Sequence, residues 1–184
     1  LYADGHEEAF AATKAKLEAA MKSDIRSEAE VARDRNRKPI QTLEFFGLRH
    51  DMKIVELVPG GGWYTKLLAP TVAENGEYYG ALGTSRIKER LSGKPGFENL
   101  KIVAEEGKLY RPEGAKFYNL DVPKKGLGVK RADMVFTFRN YHNFGEQGRT
   151  AMNEAAFDAL KKDGIYAVVD HTARHMESQN SENR

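Results

Sequence analysis

The most constraining stretch of this chain runs from Lys53 to Leu68. Lys53–Val58 (KIVELV) is a short apolar run rich in β-branched residues, which predicts a buried strand. It runs directly into Pro59-Gly60-Gly61-Gly62, after which Trp63, Leu67 and Leu68 recur at helical spacing as far as about Pro70. Strand, glycine turn and helix together open a βαβ unit. A chain that begins this way needs further strands parallel to the first, joined by helical crossovers. The glycines also remove side chains that would hold a ligand off the backbone. The helix N-terminus behind them offers unpaired N–H groups and a partial positive charge. Glu56, inside the strand, is placed either to hold the turn or to reach an amine on a ligand.

The rest of the chain alternates in the same way. Tyr78–Leu82 predicts a second strand after the Asn75-Gly76 turn, and Ser85–Leu91 a helix. Leu100–Ala104 and Ala115–Leu120 are weaker strand signals, and Met134–Phe138 a stronger one. Thr150–Leu160 predicts a helix with Met152, Ala155, Ala156, Phe157 and Leu160 on its apolar face and Gly164 as its stop. Ile165–Val169 predicts a strand buried on both faces. The expected fold class is α/β, a Rossmann-like, doubly wound, mainly parallel sheet over residues 51–184. Residues 1–50 read as an N-terminal helical extension. Glu7–Met21 is rich in Ala, Lys and Glu, Ser27 and Glu30 fit a capping box, and Pro39 opens a helix that Gly47 ends. Phe45 and Phe46 in that last helix are expected in the core. The polar tail from about Glu177 (ESQNSENR) is expected to be mobile.

Composition narrows the function. The 184 residues suit one domain, and 29 Lys+Arg against 27 Asp+Glu leave a net charge of +2, which argues against a dedicated nucleic-acid binder. No apolar run approaches the roughly 18 residues of a membrane span. The absence of cysteine excludes disulfides, zinc–thiolate sites and cysteine nucleophiles. The chain starts at Leu1, as a processed or trimmed chain would, so any export signal would already be gone. The compartment stays open between cytoplasm and periplasm. A P-loop needs Lys-Ser/Thr after its last glycine, whereas Gly62 precedes Trp63-Tyr64-Thr65. The dinucleotide pattern G-x-G-x-x-G fails at Thr65, and no acid ends Tyr78–Leu82 to take a ribose diol.

Val55–Thr65 (VELVPGGGWYT) resembles the first motif of class I S-adenosylmethionine (SAM)-dependent methyltransferases. It is closer still to a bacterial group that carries P-G-G-G-W-Y-T, many of whose members have no assigned substrate and some of which begin with an export signal. Phe138–Asn143 (FRNYHN) and Val169–Ala173 (VDHTA) resemble two further motifs of that group, so the similarity spans about Arg33 to Ala173. The resemblance implies a Rossmann-like sheet with SAM over Glu56, Gly60 and Gly62, in the turn that also holds Pro59 and Gly61, and a small-molecule methyl acceptor. Three departures stand out. Val58 occupies the place of the motif's first glycine. Leu82 occupies the place of the ribose-binding acid, which moves that role to Thr84 and backbone groups. The chain also ends soon after the fifth expected strand, two short of a complete methyltransferase sheet.

In doubly wound sheets ligands lie beyond the carboxyl ends of the strands. That rule selects Arg139 and Asn140 as further cofactor residues and Asp121 as a contact for the adenine amino group, or a turn residue before Pro123. Glu105 and Glu106 compete with Asp121 if the third strand is Leu100–Ala104. His142 and His171 are the candidate catalytic residues, with His142 taking a proton from the acceptor and Asp170 beside them. Each also fits a role in holding a strand end. No metal is assigned, although His171 and His175 stand at i, i+4 and with Asp170 and His142 make a nitrogen–oxygen ligand set. The basic run Arg33–Lys38 either closes over a carboxylate or forms a solvated helix face. Trp63 and Tyr64 read as helix packing. Methyl transfer is the leading function, against a non-catalytic SAM or S-adenosylhomocysteine (SAH) binder and a His/Asp metal-dependent enzyme. Gly60→Val and Gly62→Val are both expected to abolish cofactor binding while leaving the fold mostly intact.

Overall fold

The computed structural model describes residues 3–172. Its helices are α1 (Ala3–Met21), α2 (Glu28–Ala32), α3 (Asp34–Arg37), α4 (Pro39–Phe46), α5 (Thr65–Val72), α6 (Ser85–Leu91) and α7 (Glu146–Ala159). The strands are β1 (Lys53–Leu57), β2 (Glu77–Ala81), β3 (Leu100–Val103), β4 (Lys108–Tyr110), β5 (Asn119–Asp121), β6 (Ala132–Phe138) and β7 (Leu160–Val169). Five of them form one sheet in the order β3-β2-β1-β6-β7, with every pairing parallel. The chain leaves β1 toward β2 and β3, then returns to the other side of β1 as β6. The strand order therefore reverses between β1 and β6, which makes the space above their carboxyl ends the expected ligand position.

Both faces of the sheet are covered, as parallel strands require. Ile54, Tyr78, Met134 and Phe136 pack with Leu67 and Leu68 of α5 and with Phe10, Leu17 and Leu43 of the N-terminal helices. Val55, Leu57, Ala81 and Val135 pack on Met152, Ala155, Ala156 and Ala159 of α7. The first of these cores runs across residue 50 without a break, so α1 and α4 share the hydrophobic interior of the sheet. Ser27 caps α2 through the full capping box with Glu30.

Several expectations fail for local reasons. Phe45 is 84% exposed and Phe157 79% exposed. One residue turns a helix by about 100°, so Phe45 points away from the face that buries Leu43, and Phe157 from the face of Ala156 and Ala159. Phe46 does pack, edge-on to Phe136. Gly164 does not stop α7: the chain passes from Ala159 directly into β7, and Asp163 takes φ +64° where the register against β6 shifts. Ala115–Leu120 does not join the main sheet. Asn119–Asp121 pairs antiparallel with β4 in a separate ribbon, and Tyr118 makes a single parallel bridge to Phe144. Among the described residues no helix is long and apolar enough to cross a membrane. The tail from Glu177, and His175, lie outside the described residues.

Candidate functional site

The carboxyl rim of the sheet has an unusual backbone. The residue after each of β1, β2, β3 and β6 is left-handed: Val58 at φ +51°, Leu82 at +64°, Ala104 at +54° and Arg139 at +57°. Non-glycine residues there cost on the order of 1–3 kcal/mol each and persist only when the surroundings hold them. Val58, in the place of the motif's first glycine, thus adopts a glycine's conformation. Its N–H donates to the Ala81 carbonyl at 3.0 Å, and the Asn140 side-chain amide donates to its carbonyl at 2.9 Å. Asn140 is in turn fixed by Thr137 at 2.6 Å, and the Arg139 N–H by the Val169 carbonyl at 2.7 Å. Asn140 therefore bridges β6 to the turn after β1.

Within the turn, Gly60 (φ +57°) and Gly62 (φ +84°) need left-handed geometry. A side chain on Gly60 would meet only the end of Arg86, at 3.4 Å. A Cβ on Gly62 would lie 2.8 Å from Ile87 Cγ2, inside the α6 packing. The expectation that Gly62→Val spares the fold is therefore wrong, because Gly62 is where α6 closes on the turn.

Glu56 is buried at 2% exposure. Its Oε2 accepts hydrogen bonds from Tyr78 Oη at 2.7 Å and Thr65 Oγ1 at 2.9 Å. Burial pushes its pKa up to about 7, against the lowering effect of these two hydroxyls. Tyr78 gave no functional signal in the sequence, where it was one more aromatic of a strand.

Two clefts flank the turn. One of about 300 Å³ has Glu56 in its wall together with Val58, Pro59 and Gly61, and is ringed by Arg33, Arg37, Arg90 and Arg139. The other, of about 370 Å³, lies between Gly60, Arg86, Asn140 and Asn143. Val58, Pro59, Phe138 and Arg139 line both. Trp63 anchors the N-terminal helices over the first cleft: its Nε1 donates to the Glu30 carbonyl at 3.0 Å, and the Arg37 guanidinium lies 4.4 Å from its ring centroid. Tyr64 stacks on Phe138 at 3.6 Å. The basic run Arg33–Lys38 is thus no simple solvated face, since Arg33 and Arg37 enter the cleft.

No protein-family model matches the chain, and no curated protein matches it. Solved structures do match. A SAM-dependent methyltransferase from Aquifex aeolicus superposes on 83% of this chain and 74% of its own, with a TM-score of 0.55 and 16% identity. The chain shares the Rossmann-like α/β fold of that protein. DhpI, solved with SAH, covers 91% of this chain and 70% of its own at 14% identity and a TM-score of 0.49.

On that fold the predicted residues separate into groups. Glu56, Pro59, Gly60, Gly61, Arg139 and Asn140 meet at the two clefts. Thr84 is buried beside Glu105 in a third cleft of about 500 Å³ at the ends of β2 and β3. Asp121 sits apart, in a cleft against α7 with Gln147 and Glu154. It lines neither cleft at the turn, although Leu109, on the partner strand of its ribbon, lines the larger one. Of its competitors, Glu105 lies on the rim, paired with Lys88.

His142 and His171 do come together, through Asp170. Asp170 Oδ1 lies 2.6 Å from His142 Nδ1 and accepts from the His171 N–H at 2.8 Å, while Oδ2 accepts from the His142 N–H at 2.7 Å. Burial alone would raise the Asp170 carboxyl, but these bonds outweigh it and hold the carboxyl below its usual range. The two rings pack edge-on, 5.0 Å between centroids. Neither histidine lines the two clefts at the turn, although Asn143, one residue from His142, lines the larger. Donor atoms of His142, Asp170 and His171 lie within 4.8 Å of one another, a spacing that suits a divalent ion.

Proposed function

We propose that this chain binds SAM across the Pro59–Gly62 turn and transfers its methyl group to a small-molecule acceptor. The observation that carries the proposal is the turn itself. An open backbone at the switch point of the sheet stands between a carboxyl and a set of guanidinium groups. That donor set suits an amino-acid zwitterion, with Glu56 facing the ammonium and Arg139 the carboxylate. Gly60 and Gly61 leave the backbone free for close approach, and Asn140 holds Val58 in the shape this needs. Thr84 is the ribose contact, in place of the acid that Leu82 replaces. Bound SAM supplies an electrophilic methyl on a sulfonium. The chain holds an acceptor oxygen or nitrogen about 3 Å away and in line, which needs no covalent enzyme intermediate.

His142 is the candidate proton acceptor. The Asp170 carboxylate at Nδ1 favours the tautomer protonated there, which leaves Nε2 as the basic nitrogen. His171 and the Asp170 bond orient that ring.

A second reading, a non-catalytic SAM or SAH binder, is favoured by Leu82, which is 1% exposed where a ribose acid is expected. Incubation with methyl-labelled SAM and a metabolite pool separates the two. Label transfer with release of SAH is expected. SAH binding without any transfer would favour the second reading, and absence of both would overturn the first.

A further inference from the structure

We infer that the arginine-ringed cleft beside the turn is the binding site for an oxyanion on the methyl acceptor, so that the acceptor is a carboxylate- or phosphate-bearing small molecule. The inference rests on the proposed methyl transfer for the word acceptor, and on charge counting for the rest.

Arg33, Arg37, Arg90 and Arg139 line a cleft of about 300 Å³, and Arg86 lies across the turn, where a Cβ on Gly60 would meet its Nη2 at 3.4 Å. None of these five guanidinium groups has an ion pair among the described residues. Neighbouring cations are matched: Arg26 pairs with Asp34 at 2.5 Å, and Lys66 with Glu30 at 2.8 Å. The acids that face the cleft are Glu30 and Glu56. Glu30 is committed to Lys66 and to the α2 cap. Glu56 is committed through Oε2 to Tyr78 and Thr65, and burial favours its neutral form. Arg37 feels the excess: its pKa is lowered by burial first and also by Arg139 and Arg33, against the opposing pull of Tyr64 and Asp34.

SAM cannot account for this excess. It carries one carboxylate against a sulfonium and an ammonium, so its net charge is positive. One or two guanidiniums satisfy a carboxylate, in bidentate fashion. The remaining arginines face a space that a cation alone would leave unfavourable. A polyanion is what a cleft of one sign concentrates, and the planar guanidinium forks suit carboxylate or phosphate oxygens. An anionic acceptor would also offset the cofactor's positive charge, so each ligand would favour the other.

The test uses calorimetry on the full chain, with inorganic pyrophosphate and tricarballylate as probes, free and in the presence of saturating SAH. The comparison variant is Arg33→Gln/Arg90→Gln, because both side chains are exposed and neither packs on Trp63. Binding of either anion to the wild type, weakened at least 10-fold in the variant while SAH affinity moves less than about 3-fold, supports the proposal. The tighter probe tells phosphate from carboxylate. No binding of either anion, or equal binding to the variant, overturns it whether or not SAH binds. Loss of anion binding in SAH-saturated protein also overturns it, because the arginines then serve the cofactor. If an anion binds as expected but SAH does not bind at all, the methyl-transfer reading fails and the acceptor assignment falls with it.

Discussion

The arginine cleft and the His142–Asp170–His171 cluster stand on the same rim, and they differ in how their charges are met. In the cluster the charged pair is met: Asp170 accepts two backbone N–H bonds and faces His142 Nδ1. In the cleft, the guanidiniums of Arg33, Arg37, Arg90 and Arg139 have no carboxylate partner among the described residues, and Arg37 lies only over the Trp63 and Tyr64 rings. A satisfied pair is stable without a ligand, so its position argues for orientation and proton handling. Unpaired like charges repel one another and gain only when something else arrives. On the proposed function, the difference puts binding on the β1 side of the rim and proton handling on the β7 side.

The largest effect expected is on the cleft's backbone. Gly62→Val combines a Cβ 2.8 Å from Ile87 with a β-branched residue at φ +84°. Overpacking and left-handed strain together should cost about 4 kcal/mol, which at about 2–4 °C per kcal/mol lowers the melting temperature by roughly 10 °C. An unchanged melting temperature would show that α6 does not close on the turn as described.

Glu56 tests the charge balance of the cleft by pH. Its pKa of about 7 lies above the ordinary carboxyl value of 4.5. The folded state therefore holds a proton that the unfolded state releases, and this contribution to stability is lost as pH rises from 4.5 through 7. At 1.36 kcal/mol per pKa unit the loss approaches about 3 kcal/mol by pH 8. Glu56→Gln keeps an acceptor for Tyr78 and Thr65 without the charge, so it should match the wild type near pH 4.5 and exceed it in stability at pH 8. Denaturant curves at the two pH values check this, and parallel pH dependence in both proteins would break the assignment. SAH affinity should rise with pH in the wild type and stay flat in the variant.

His142→Ala should lower turnover by about 10²-fold, the scale of lost acid–base help, with SAH affinity near wild type. Equal loss in both would mark a structural histidine and erase the distinction between the two regions. The smallest effect belongs to His171→Asn: a few-fold in turnover, since its side chain only packs against the His142 ring. If that variant loses as much as His142→Ala, the two imidazoles act as a unit, and titration with zinc would then show whether they hold an ion with Asp170.

Much of the sheet was legible in the sequence because its signals are local. Lys53–Val58 running into three glycines specifies a strand and its turn within ten residues, and Met134–Phe138 is as clear. The meeting of His142 with Asp170 and His171 was legible only through the family resemblance, which implies that the strands they follow are neighbours. The arginine cleft was not legible in that way. Arg33 and Arg37 come from the α2–α3 region, Arg90 from α6 and Arg139 from the end of β6, and tertiary packing gathers them, with Trp63 tying the N-terminal helices to the turn. Asp121 falls outside the two clefts because Asn119–Asp121 pairs with β4, and Ala115–Leu120 carries no signal that separates a sheet strand from such a ribbon. Phe45 and Phe157 were misplaced because an aromatic one step off a helical stripe looks apolar in sequence and points to solvent in space.

The central claim is that the Pro59–Gly62 turn is a cofactor site, and calorimetric titration of SAH into the wild type and Gly60→Val tests it most directly. A Cβ at residue 60 meets only the flexible end of Arg86, at 3.4 Å, so the variant bears the left-handed strain of φ +57°, about 1–3 kcal/mol, without overpacking and should stay folded. The expected result is a single SAH site in the wild type and binding weakened at least 100-fold in a folded variant that melts less than about 10 °C below it. Absence of SAH binding by the wild type, or undiminished binding by the folded variant, would contradict the account.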